Sequence, residues 1–135
     1  MRRYLLDSNA LNQFVFRRSG VYERAIETRK QGAIIGTCTP VVAEILGGTR
    51  YSQTSEVNLP RVEQILKQLK VWAFDIAAAH EYGRIYSELR RTGIQMQVID
   101  RMIAATAITI PNCTVITSDS DFARVGTLNI ENWAK

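Results

Sequence analysis

The 135-residue chain is expected to adopt an α/β fold with a central, mainly parallel β-sheet flanked by helices on both faces. Three observations lead there. Short apolar, β-branched stretches at residues 4–6, 33–37, 71–74 and 114–117 alternate with helical patterns of apolar residues. Capping and turn residues, including Asn9, Gly20, Gly32, Pro40 and Gly93, punctuate the boundaries. No repeat, low-complexity tract or linker interrupts the alternation, and 46% hydrophobic content suffices for the core of one domain over residues 1–135.

Residues 4–6 read as a buried strand, followed by a helix over residues 10–16 capped by Ser8 or Asn9. Gly20 marks a break. Val21, Tyr22, Ala25 and Ile26 fall at helical spacing, so a partly exposed helix spans residues 21–31 and ends at Gly32. Residues 33–37 form the second strand, after which Thr39 and Pro40 provide an N-cap and first-turn proline for a helix through Val41, Val42, Ile45 and Leu46. Residues 47–58 are polar and glycine-marked, which predicts a loop, and Pro60 stands near the start of an amphipathic helix through Val62, Ile65, Leu66 and Leu69. A third strand covers residues 71–74, and the longest helix, over 77–91, closes at Thr92 and Gly93. Another helix begins near Val98 or Ile99 and carries Asp100 in its first turn. Residues 114–117 form a fourth strand, SDSDF follows it, and residues 125–130 suggest a last short strand.

No run of eighteen apolar residues is present, and the opening MRRYLLDSN meets a charge before any signal-type apolar region, so a soluble, cytoplasmic protein is expected. Cys38 and Cys113 lie in apolar, threonine-rich stretches without metal-knuckle spacing and read as buried thiols in a reducing compartment. The net charge is +4, with the positive side mostly arginine, whose planar fork suits phosphate. Arg17, Arg18, Arg50, Arg90 and Arg91 are candidate phosphate contacts, although such residues are more often just solvated helix ends.

Asp7, Glu44, Asp100, Asp119 and Asp121 carry the chemistry. Singly, each has a bland explanation: Asp7 and Asp119 as turn or cap residues, Asp100 and Asp121 as acids at the positive end of a helix dipole, Glu44 as an exposed helical residue. Glu44 is nevertheless flanked by apolar residues in VVAEIL, which predicts partial burial and a need for a partner. Together, the acids all lie just after a strand or in the opening turns of a helix, where an α/β sheet gathers its site loops. Clustered carboxylates raise one another's pKa, and a hard divalent cation relieves the repulsion through oxygen ligands, which points to Mg2+ or Mn2+. The chemistry then suggested is phosphodiester hydrolysis by an activated water. Outside these five acids the chain holds eight Asp and Glu against seventeen Lys and Arg, a basic body around an acidic pocket. The single histidine, His80, sits mid-helix without a Ser or Cys partner and reads as structural or exposed.

LLDSN, TPVVAEILGG, IDRMIAATAI and VITSDSDFARVGTL, in that order, resemble the motifs of PIN-domain ribonucleases, especially VapC toxins of bacterial toxin–antitoxin pairs. The resemblance covers nearly the whole chain. It implies a PIN-like three-layer fold with the first and fourth strands adjacent. It places the family's acids on Asp7, Glu44, Asp100 and Asp119, with Asp121 auxiliary; Asp7, Asp100 and Asp119 are the expected metal ligands, and Asn9 and Thr117 the supporting hydrogen-bonding positions. Ser8 replaces a commoner threonine and keeps the hydroxyl, while Gly47 and Gly48 replace a commoner aromatic-glycine pair. It further implies an Mg2+- or Mn2+-dependent endoribonuclease acting on structured RNA such as tRNA or rRNA, a homodimer, and a VapB-type antitoxin that blocks the site. Two other readings compete: a PIN-like module that binds RNA or protein without cutting, and a phosphate-transfer receiver. The receiver would want a late lysine after a strand, and the lysines stand only at Lys30, Lys67, Lys70 and Lys135.

Overall fold

In a computed structural model describing residues 1–135, five strands form one sheet in the order β3-β2-β1-β4-β5, every neighbouring pair parallel. The strands are β1 (Arg3–Leu6), β2 (Ile34–Cys38), β3 (Lys70–Trp72), β4 (Cys113–Ile116) and β5 (Asn129–Glu131). The helices are α1 (Ser8–Val15), α2 (Val21–Lys30), α3 (Thr39–Tyr51), α4 (Ser55–Leu66), α5 (Ile76–Thr92) and α6 (Val98–Ile108). A 3-10 turn covers Ser120–Arg124.

The order itself locates the crevice. The chain steps outward from β1 to β2 and β3, then returns to the other side of β1 for β4 and β5. Right-handed crossovers therefore put helices on both faces, and the order reverses between β1 and β4. Leu6 pairs with Ile116 in register, so β1 and β4 end side by side and present their following loops together. Tyr4, Leu5 and Leu6 are all buried, as a central strand covered on both faces requires. They anchor a core of 28 buried residues that includes Phe14, Val41, Ile85, Ile103 and Phe122.

Three sequence expectations need correction. The predicted loop over residues 47–58 shrinks to residues 52–54, because α3 runs through Gly47 and Gly48 to Tyr51 and α4 starts at Ser55. Both glycines are exposed, so their intrinsic penalty of about 1 kcal/mol each falls on helix propensity alone and packing of α3 against α4 overrides it. Pro60 lies inside α4 rather than near its start; the carbonyl it leaves free belongs to the exposed Glu56. The last strand is shorter and later than residues 125–130, because Val125 is buried in the core and the turn closed by Leu128 N on Val125 O (3.1 Å) occupies the space before Asn129.

Other local features follow the predicted chemistry. Gly93 ends α5 in the left-handed conformation (φ 71°), with its N–H donated to Arg90 O at 3.2 Å and that of Ile94 to Leu89 O at 3.0 Å. Gly36 in β2 permits close approach of β3, since a Cβ there would collide with the Lys70 carbonyl and the Trp72 ring. Cys38 and Cys113 are buried and unpaired, and burial pushes both thiols up to about 12. No helix is long and apolar enough to cross a membrane.

Candidate active site

Asp7 follows the last residue of β1, and its backbone N–H continues the sheet by donating to Ile116 O at 3.1 Å. Its side chain is the N-cap of α1, with Oδ1 accepting from Ala10 N at 2.8 Å; Ser8 and Asn9, expected as caps, are already helical or lie beyond the cap. The cap reading and the site reading therefore describe the same carboxylate. The residue is only 4% exposed. Burial pushes its pKa above the ordinary value, and hydrogen bonds from Thr117 and Ala10 offset part of the rise, while Asp119 and Glu44 add repulsion.

Asp119 is built the same way at the end of β4. It caps the 3-10 turn by accepting from Asp121 N at 2.9 Å, and its own N–H donates to Thr117 Oγ1 at 2.9 Å. Thr117, buried at the strand end, thus touches both Asp7 and Asp119. Asp100 enters from the first turn of α6, half-buried. Its pKa is pushed up to about 6, first by burial and then by repulsion from Asp119, Asp7, Glu44 and Asp121 in that order. The neighbouring Arg101 does not neutralise it, because that guanidinium lies over the Tyr82 and Tyr86 rings at 5.5 and 5.3 Å.

These acids line one cleft of about 240 Å3 together with Glu44, Asp121 and Asn9. Glu44 is exposed on α3, which corrects the expected partial burial: α3 buries Pro40, Val41 and Thr49, and Glu44 rides on the edge turned to the cleft. Asp121 has the only ion pair of the five, a 3.7 Å contact between exposed side chains with Arg124. No lysine, arginine, histidine or cysteine lines the cleft. As the side chains stand, no three His, Cys, Asp or Glu groups meet at the spacing that encloses a metal ion. The five carboxylates share a cleft without forming a closed cage.

Two lining residues, Ser8 and Gln97, were not among the expected contributors to the cleft, and neither was Thr37 among the supports behind it. Ser8 Oγ is buried with no partner in the chain. Thr37 Oγ1 donates to Leu6 O at 2.7 Å and pins the end of β1. Only the position of Gln97, just before the helix that carries Asp100, signals its place. The candidate phosphate-binding arginines all lie outside the cleft: Arg17 stacks on Tyr22 at 4.2 Å, Arg18 on Phe16 at 5.5 Å and Arg90 on Tyr86 at 5.6 Å, while Arg50 and Arg91 are exposed. His80 is exposed on α5.

Comparison with known proteins converges on one family. The PIN-domain model matches residues 4–128. Ribonuclease VapC2 of Rickettsia felis is 28% identical over 133 residues, covering 98% of both chains. The tRNA(fMet)-specific endonuclease VapC of Shigella flexneri is 30% identical over 134 residues, 99% of this chain and 100% of its own. Among solved structures, VapBC2 from Rickettsia felis bound to a DNA fragment from the promoter superposes with a TM-score of 0.88 at 26% identity, over 97% of this chain and 98% of that one. The chain, with its β1–β4 switch point and the acids gathered there, belongs to the PIN-domain family.

Proposed function

We propose that the chain is an Mg2+- or Mn2+-dependent endoribonuclease and the toxin of a toxin–antitoxin pair. The observation that carries this is the convergence of five carboxylates from four parts of the chain on a cleft without any cationic side chain. Such a set is electrostatically unfavourable by itself, as the raised Asp100 carboxyl reflects. An all-oxygen, acid-rich donor set suits a hard divalent cation and not zinc or copper.

Asp7, Asp100 and Asp119 would hold the ion, with Glu44 and Asp121 beside them. When bound, it supplies Lewis-acid activation of water and neutralises charge on the scissile phosphate. The chain's own contribution is positional. Asp7 is fixed by the Ala10 N–H and Asp119 by the Asp121 N–H, so neither carboxylate swings freely. Asn9 and Gln97 are the uncharged amides of the cleft, suited to holding phosphate oxygens and excluding misaligned substrate. Glu44 or Asp121, the cleft carboxylates outside the metal set, would take the single proton that the attacking water gives up.

The related chains named as ribonuclease and tRNA endonuclease support an RNA substrate, and structured RNA such as tRNA or rRNA is the class proposed. The VapBC complexes among the structural relatives support a VapB-type antitoxin as partner, and we extend the reading to a homodimer. The test is cleavage of total tRNA and rRNA by the purified protein. Cutting that needs Mg2+ or Mn2+, stops with chelator and is lost in Asp7→Asn supports the proposal. Cutting that survives both changes, or RNA binding without cutting in any divalent metal, refutes it.

A further inference from the structure

Beside the acidic cleft lies a second groove of about 310 Å3 that the hydrolytic reading does not use. The two adjoin, with Ser8, Asn9 and Glu44 lining both. We infer that this groove is a nucleotide subsite, taking the base next to the scissile phosphate of a single-stranded RNA segment. The inference rests on the nuclease reading of the cleft.

The groove is built for a polar, planar ligand. Asn9, Asn12 and Phe16 occupy one face of α1 and its end, three and four residues apart, and Asn58 closes the opposite side from α4. Side-chain amides present a donor and an acceptor together, which matches the edge of a nucleobase. Asn58 is oriented already, since its Nδ2 donates to Thr54 Oγ1 at 2.9 Å, leaving its carbonyl oxygen and one N–H for a ligand. Gly48 also lines the groove, and a Cβ there would meet nothing within 4 Å, so the floor stays open. Phe16 closes the far end of the groove, its ring already covered by the guanidiniums of Arg18 and Arg61.

Charge changes sign along this path. The cleft end carries the acids, whereas the Phe16 end carries Arg18 and Arg61, whose guanidinium centres lie 5.5 and 5.3 Å from the Phe16 ring centre. Arg61 is held in place by donating Nε to Val15 O at 3.0 Å. The order acid cleft, amide groove, arginine pair fits one phosphate at the acids, its base among the amides and the next phosphate at the arginines. Only Phe16 and Ile45 are apolar in the lining, which disfavours an apolar helix of a protein partner as occupant.

The test uses short single-stranded RNAs varied one nucleotide at a time around the cut, with kcat/KM measured for the intact protein and for Asn12→Leu and Asn58→Leu. The subsite predicts a preference of about tenfold or more among bases at one position, collapsing to about twofold in either variant. A preference that survives both variants, or an equal loss on every sequence, overturns the subsite while leaving cleavage itself intact. An NMR titration of the unmodified protein with each nucleoside monophosphate, without divalent metal, decides the case independently of variant folding and of cleavage. Base-dependent shifts of the Asn12 and Asn58 side-chain amides support the inference; shifts produced only by an antitoxin peptide, or no shifts, overturn it. Failure of the nuclease reading is recognised separately, as absence of metal-dependent cutting in the unmodified protein.

Discussion

Asp100→Asn should abolish cleavage and yet stabilise the metal-free protein at neutral pH. The Asp100 carboxyl is raised from 3.8 to about 6 by burial and by four neighbouring acids, so its ionised form opposes folding. A rise of that size corresponds to about 3 kcal/mol at roughly 1.36 kcal/mol per pH unit. Asp100 is only half-buried, and water screens the repulsion, so about 1 kcal/mol is the expected gain. For a carboxyl raised on folding, stability is fully present below the unfolded pKa and lost as pH rises through the folded one. The advantage of Asn over Asp should therefore be largest at pH 8, decline through pH 6 and vanish near pH 4. Thermal melts of chelator-treated protein at these three pH values measure it; at pH 8 the variant should melt roughly 4 °C higher. Added Mg2+ should raise the melting temperature of the unmodified protein and not that of the variant. A variant less stable by the same margin at every pH would refute the repulsion argument.

Thr117→Val removes the acceptor of the Asp119 N–H and a hydrogen bond that favours ionised Asp7; a loss of about 1–3 kcal/mol in urea unfolding is expected, with activity falling more at pH 6 than at pH 8. Gly36→Ala drives a methyl group into the Lys70 carbonyl and Trp72 ring, which should destabilise by about 1–3 kcal/mol in denaturant titration and leave cleavage by the folded fraction intact. Cys38 and Cys113, buried with thiols pushed up to about 12, should resist thiol reagents at pH 8 until the chain is unfolded, as a spectroscopic thiol count with and without denaturant will read.

Much of the fold is legible in local patterns. The central strands have continuous apolar runs bounded by turn residues, whereas the adjacency of β1 and β4 is implied by the family resemblance and by no local pattern. Where the pattern misleads, tertiary packing outweighs residue preference: Gly47, Gly48 and Pro60 all punctuate by propensity, and all three sit inside helices because α3 and α4 pack on each other. The acids are identifiable because each stands at a strand end or helix start. What single residues cannot express is that Asp7 and Asp119 serve as caps and as cleft walls at once, the cap fixing the carboxylate that faces the cleft. The groove of Asn12 and Asn58 is invisible for a different reason: its two sides lie on α1 and α4, brought together only by tertiary packing of those helices on each other and on α3.

The most direct measurement of the central claim is an electron paramagnetic resonance titration of the protein with Mn2+, alone and with Asp7→Asn or Asp100→Asn. About one or two equivalents of Mn2+ should leave the free-ion signal in the unmodified protein, compete with Mg2+, and remain free in either variant. A free-ion signal that grows linearly from the first addition in the unmodified protein, or binding unchanged by both substitutions, would contradict a metal site formed by these acids.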